Sequence, residues 1–335
     1  MKICLTIKRA FVAKKKLSTL LFILVVSVSA MASEGALTGR FTINAQGDQV
    51  VFSQGNLQYQ AGTGTWRFAN NQWDVIGTDN TNISPTYAGW IDLFGWATSG
   101  WDSGNNAYQP YSTSTTPSDY GLHDLWFGYN MTGSHANADW GVYNAISNGG
   151  NAAGLWRTLT YDELNYLFNR RNDASNLRSQ LTVNGVHGYA ILPDDFTQPA
   201  GISFVATADN WTANNYDSTA WQQMEAAGAV FLPAAGCRSG ADAINNINEQ
   251  GYYWTASLYN GYLKYMIFFR ENTATLYHFT AEYGLSVRLV QTAQSDITAL
   301  DDVTSDTKAT KRIVHGQLLI EHDGKLYNAT GSELK

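Results

Sequence analysis

The chain has 335 residues, 44% of them hydrophobic and 13% aromatic, with 15% charged side chains and a formal net charge of −7. That composition is too apolar for a disordered chain. The sustained apolar run at residues 17–30 is shorter than the roughly 20 residues a helix needs to cross a bilayer, and no second run follows, which argues against a membrane-spanning protein.

The first segment reads as a targeting device. Lys2, Lys8, Arg9, Lys14, Lys15 and Lys16 form a basic leader, residues 17–30 an apolar core, and Ala30-Met31-Ala32 a small-x-small signature. That order predicts a secretory signal peptide over residues 1–32, cut after Ala32, and hence a secreted or outer-surface protein. The basic stretch precedes the apolar one without interleaving, unlike an uncleaved amphipathic anchor. Cleavage leaves 15 basic against 28 acidic residues, a net of −13, which disfavours nucleic acid as a partner. Cys237 is then the remaining cysteine, so no intramolecular disulfide supports the fold. Stability rests on packing, which about 300 residues supply by burying roughly three quarters of their unfolded surface.

Along the mature chain, residues 39–55 read as strand, turn and strand about Gly47-Asp48. Between residues 62 and 130, tryptophans and tyrosines sit among Gly, Ser, Thr, Asn and Asp without a lasting period. This predicts long ordered loops pinned by buried rings whose N–H and O–H groups reach backbone partners. Three helices follow. One spans residues 139–147 and one starts at the capping box of Thr160 and Glu163; the third has Thr219 and Gln222 as a capping box and Gly228 as its stop. From residue 251 to 291 the pattern predicts an antiparallel meander of strands at 251–257, 263–269, 275–280 and 285–290. Residues 293–311 read as a solvated linker, and residues 312–335 as a hairpin about His322-Asp323-Gly324. The fold class expected is α+β.

Several strings carry a family likeness: Val51-Phe52-Ser53-Gln54-Gly55-Asn56-Leu57-Gln58-Tyr59, Leu155-Trp156-Arg157-Thr158-Leu159-Thr160, Phe231-Leu232-Pro233-Ala234-Ala235-Gly236, Gly251-Tyr252-Tyr253-Trp254-Thr255-Ala256-Ser257 and Gly284-Leu285-Ser286-Val287-Arg288. Over residues 37–292 the chain resembles the secreted major-paralogous-domain (FISUMP-like) proteins of Gram-negative bacteria. That family is similar to the formylglycine-generating-enzyme (sulfatase-modifying-factor-like) branch of the C-type-lectin-like fold. The same branch includes the variable proteins of diversity-generating retroelements, in which a Trp-led strand opens a displayed segment and a Val-Arg strand closes it. The resemblance implies a C-type-lectin-like fold with long aromatic loops, a few helices and the terminal meander. It makes Trp254, Val287 and Arg288 the fixed frame, and residues 258–264, 270–272 and 277–282 the displayed positions. The segment from residue 316 to 335 looks like the tails of secreted proteins of the same bacteria, read either as a sorting signal or as an appended hairpin.

The chemistry this implies is non-catalytic. Formylglycine-generating enzymes use a cysteine pair that binds copper, and Cys237 alone cannot make a two-thiolate site. His123, His135, His187 and His278 follow no metal-binding spacing and read as ordinary polar residues. No cofactor is expected apart from a structural Ca2+ as the weaker reading of the oxygen-rich stretches at Asp79 and Asp102, which Asx turns explain without metal. What remains is a span of tyrosines among polar residues. Tyr259, Asn260, Tyr262, Lys264, Arg270, Asn272, Tyr277 and Glu282 are the expected ligand-binding residues, mixing rigid rings with adaptable polar groups. The same rings read alternatively as cross-strand stabilising pairs. The function expected is adhesin- or receptor-like recognition of an extracellular protein or glycan. A formylglycine-generating-type oxidase using Cys237 and a structural subunit of a surface fibre are the alternatives.

Overall fold

A computed structural model describes residues 34–120, 123–124, 127–293, 310–314, 317–322, 325–328 and 333–334. The expected signal peptide, most of the linker and the turn at residues 323–324 lie outside the described residues. Those described fall into two units, one within Ala32–Ser295 and one within Asp296–Lys335. The class is α+β, mostly sheet with few helices.

The first unit opens with β1 (Phe41–Thr42) and β2 (Gln49–Phe52), which pair antiparallel, then β3 (Leu57–Gln60) and β4 (Thr65–Phe68). After short 3-10 turns and the pair β5 (His123–Asp124) and β6 (Phe127–Gly128) come α1 (Trp140–Tyr143) and α2 (Tyr161–Asn169). Next are β7 (Arg178–Val183), β8 (Val186–Ile191), β9 (Asn215–Tyr216), α3 (Ser218–Ala226) and β10 (Val230–Pro233). The unit closes with β11 (Cys237–Ser239), β12 (Ala243–Asn245), β13 (Gln250–Asn260), β14 (Leu263–Arg270), β15 (Thr273–Thr280) and β16 (Val290–Thr292).

Two sheets act as partitions between three apolar cores. In the sheet β13-β14-β15, Tyr252, Trp254 and Met266 point into the first core with Trp96, Trp140 and Leu285. Their neighbours Tyr253, Ile267 and Phe269 point into the second, with Phe41, Leu164 and Tyr189. Neighbouring strand residues face opposite ways, so a strand buried on both sides becomes a continuous apolar run, as Met266-Ile267-Phe268-Phe269 is. The sheet β10-β8-β7-β9 repeats the device: Val230 and Leu232 face the second core, Phe231 and Ala190 the third with Trp221. The aromatic loops close the first core; among their indole N–H groups that of Trp96 finds the expected backbone partner, whereas the buried Trp101 Nε1 has none among the described residues. Trp96 Nε1 donates to the Thr255 carbonyl at 2.8 Å, and Trp254 Nε1 to the Phe94 carbonyl at 2.7 Å.

Local signals set some boundaries and mislead at others. The Thr160 and Glu163 capping box forms in full. The third helix is capped by Asp217, whose side chain accepts the Ala220 N–H at 2.7 Å, so Thr219 is not its cap. The helix expected over residues 139–147 is a single turn, because the Asp139 carboxylate that caps it also accepts the Thr158 N–H at 2.7 Å and the backbone is extended again at Asn144. Residues 285–289 are not a fourth meander strand. They thread between elements through isolated bridges to Phe94 and Tyr253, and Val290 then joins β2.

The second unit is a four-stranded antiparallel sheet of β17 (Thr310–Val314), β18 (Gln317–His322), β19 (Lys325–Asn328) and β20 (Glu333–Leu334), paired in that order. The hairpin expected about residues 322–324 is present as β18 and β19, in which His322 pairs with Lys325, and β17 and β20 extend it to four strands. Val314 pairs with Gln317, so each expected strand is itself folded in two, and β17 begins inside the stretch read as linker.

Candidate functional site

The eight expected binding residues do not form one patch. Tyr259 and Tyr262, each 46% exposed, and Tyr277, 52% exposed, lie with the exposed Asn260 toward one end of the β13-β14-β15 sheet. Arg270 and Asn272 lie at the other end, seven residues along β14 from Leu263, or roughly 23 Å at the rise of a strand. Lys264 and Glu282 were expected on the surface and are buried, at 1% and 8% exposure.

Register explains the burial of Lys264, and a contact from a distant loop that of Glu282. Lys264 pairs with Leu258 on one side and Phe279 on the other and takes the parity of Met266, which faces the first core. Its ammonium donates to the Gly261 carbonyl at 3.0 Å and lies 4.5 Å from the Trp96 ring centroid. Burial pushes its pKa down to about 8. Glu282 follows Ala281, whose carbonyl accepts the Trp96 N–H at 2.8 Å, and this contact draws the segment inward. Burial raises the Glu282 carboxyl above its ordinary range, and its Oε2 has no hydrogen-bond partner among the described residues.

The exposed end carries a row of rings that no local pattern announces. Tyr161 stacks on Tyr265 at 3.8 Å between centroids, Tyr265 meets Tyr259 edge-on at 5.1 Å, Tyr259 stacks on His278 at 4.2 Å, and His278 on Tyr277 at 4.6 Å. The rings come from α2, β13, β14 and β15, and three local features hold them. The Tyr161 N–H, in the first turn of α2, donates to Ser257 Oγ at 3.0 Å and docks the helix on β13. Register shifts after Trp254 and after Leu258 turn the end of β13 away from strict alternation. Gly261, at φ +53°, closes the tight connection to β14 in a conformation suited to glycine. On the far side the Leu258 N–H donates to Asn130 Oδ1 at 2.9 Å, next to the exposed Tyr129, which stacks on His135 at 4.2 Å.

Apart from the helix start at Tyr161, nothing in the local sequence marks Tyr161, Tyr129, His135 and His278 as site residues. The histidines have no metal-binding spacing and serve instead as flat stacking rings. For Tyr161 the usable signal was a ring in the first turn of a capped helix, where the backbone is held but the side chain is half-exposed.

At the opposite end, Arg270 and Asn272 line a cavity of about 560 Å³ with His187, Trp211, Glu249 and Glu271. Asn272 takes φ 62° in the connection between β14 and β15, and its N–H donates to the Asp209 carbonyl at 2.6 Å. His187 lies parallel to Trp211 at 5.0 Å. A larger cavity, of about 790 Å³, opens among residues 83–119 and shares none of the eight residues.

The oxygen-rich stretches form turns. Asp102 Oδ1 accepts the Gly104 N–H at 3.2 Å, and the exposed Asp79 accepts the Asn82 N–H through its carbonyl at 2.9 Å. Among the described residues, no group of three or more His, Cys, Asp and Glu side chains is placed to hold a metal ion. Cys237 is buried, and burial pushes its thiol up to about 11, against the thiolate character that nucleophiles and metal ligands need. No described helix is long and apolar enough to cross a membrane. No family model, curated protein or solved structure matches the chain.

Proposed function

We propose that this chain is an exported, non-catalytic binding protein with a C-type-lectin-like scaffold, and that it recognises an extracellular protein through the row of rings at Tyr161, Tyr265, Tyr259, His278 and Tyr277. The observation that carries the reading is the exposure of Tyr259, Tyr262 and Tyr277, 46 to 52%, on a sheet whose strands β13 and β14 are clamped between two cores. A tyrosine held by stacking loses little freedom on binding, and strands such as β13 and β14, buried on both faces, do not rearrange to meet the ligand. Trp254, Val287 and Arg288 are buried, as a fixed frame requires. The buried, protonated thiol of Cys237 favours a structural role for it over the oxidase alternative.

The stacking also favours protein over glycan here. Within the row the ring faces lie largely against one another, so the ligand meets edges and phenolic hydroxyls, which suit backbone and side-chain polar groups better than the flat face of a sugar. The test is a protein and glycan array probed with the parent chain and with a Tyr259→Ala, Tyr277→Ala double variant. The double variant is expected to weaken binding to the protein hits by about tenfold or more. Equal binding by the two proteins defeats the assignment.

A further inference from the structure

We propose a second binding site in the cavity among residues 83–119, specific for a neutral saccharide and independent of the ring row. The cavity measures about 790 Å³, inside the roughly 300–1,000 Å³ of pockets that enclose small ligands. Its walls combine the rings of Tyr108 and Tyr111 with short hydroxyl and carboxamide side chains, among them Ser84, Asn106 and Thr113.

The lining decides the class of ligand by elimination. It contains no Lys, Arg or His, so a phosphate, sulfate or carboxylate would lose its hydration without a counter-charge. Asp119 is its one carboxylate, and Oδ2 of that group already accepts the Ser114 hydroxyl, whereas Ca2+ needs six to eight oxygens. A lipid chain or a flat apolar ligand would bury the polar groups unpaired. A molecule with an apolar ring face and a hydroxylated rim satisfies both kinds of wall. The Ser84 and Thr113 hydroxyls and the Asn106 carboxamide make no side-chain hydrogen bond to any described residue, which leaves three polar groups to read such a rim.

The site is also held in shape before any ligand arrives. Asn105 Oδ1 accepts the Ala107 N–H at 3.0 Å and fixes the turn that presents Asn106. Tyr108 is backed by Trp101 at 5.0 Å between ring centroids. Tyr111 closes with Tyr59, Tyr87 and Ile91 around a narrow apolar space behind it. Ser112, between Tyr111 and Thr113, accepts the Tyr120 hydroxyl at 2.7 Å, and its carbonyl and that of Gly240 accept from the buried Arg238 guanidinium at 3.4 and 2.6 Å. The wall is therefore tied to the interior through a side chain that solvent does not reach. Preorganised walls of this kind keep the ordering cost of a weak polar ligand low.

The experiment is a calorimetric and tryptophan-fluorescence titration of the purified full chain with cello-, xylo-, manno-, malto- and chito-oligosaccharides, with oligogalacturonate and inorganic phosphate as charged probes. At least one neutral oligosaccharide is expected to saturate, and neither charged probe. Tyr111→Ala and the exposed Asn106→Ala should each weaken that binding about tenfold, while Tyr111→Phe keeps most of it. Tyr259→Ala should leave it unchanged, which separates this site from the ring row. Asn106→Ala removes no packed side chain, so it tests the site even if Tyr111→Ala fails to fold. Saturation by no neutral saccharide, equal saturation by phosphate, or an affinity that Asn106→Ala leaves unchanged and Tyr259→Ala lowers would each overturn the proposal.

Discussion

Lys264 shows how a single side chain can reverse a surface reading. Two effects compete at its ammonium: attraction to the Trp96 ring, worth about 0.5–2 kcal/mol, and loss of hydration, which lowers the pKa from 10.5 to about 8 and corresponds to roughly 3 kcal/mol. Desolvation wins, so the charged form is a net cost to the fold. Between pH 8 and 10.5 the unfolded chain binds more protons at this site than the folded one, so the contribution of Lys264 to stability rises with pH across that window and is least favourable below it. Lys264→Met should therefore raise stability at pH 7 by about 1–3 kcal/mol in urea titrations, and its advantage over the parent should fade as the pH approaches 10.5. A variant less stable than the parent at pH 7 would show that the Trp96 contact and the bond to Gly261 outweigh burial. Asp139, also buried and pushed up to about 6 by burial, shows the opposite use of a hidden charge: both carboxylate oxygens accept backbone N–H groups, from Gly141 and Thr158, and join α1 to the strand-like segment before α2.

At the scale of elements, the sheet β13-β14-β15 is positioned by close packing both within the sheet and against residues distant in the chain. Gly251 pairs with Phe269, and a Cβ at Gly251 would meet the Phe269 ring. The ring lies over the glycine because Tyr253 and Tyr189 occupy the rest of the second core. Gly251→Ala should cost about 1–3 kcal/mol by overpacking, read as a lowered urea midpoint with an unchanged slope. An unchanged midpoint would mean that Phe269 has room to move. At the other end of the assembly, Thr160→Ala removes a cap that holds α2, and with it Tyr161, against β13. It should cost about 1 kcal/mol and weaken ligand binding at the ring row together with stability. Loss of stability with full binding would separate the helix cap from the site. The capping box and the three meander strands were legible because each is a short-range pattern. The division of the eight binding residues between opposite ends was not, because it depends on the length and pairing of β14 and β15.

For the molecule as a whole, the two partitioning sheets couple the three cores of the first unit: Met266 and Ile267 are adjacent in the chain yet belong to different cores, as are Phe231 and Leu232. One core cannot open without exposing the back of a sheet that its neighbour needs. The unit should unfold in one transition, with tryptophan fluorescence and the amide exchange of Phe231 giving the same midpoint. All 11 tryptophans precede residue 296, so the fluorescence reports on this unit alone. Two separated midpoints would show that the partitions do not transmit. By itself the sequence determined the α+β class, the capping box of α2, the glycine stop after α3 and the meander strands, since hydrogen bonding and side-chain alternation within a few residues suffice for each. Only the tertiary structure decided which meander side chains see solvent, because the groups that bury Lys264 and Glu282, and the helix that adds Tyr161 to the row, arrive from segments about a hundred or more residues away in the chain. Burial is a property of what covers a side chain, and no local pattern records the cover.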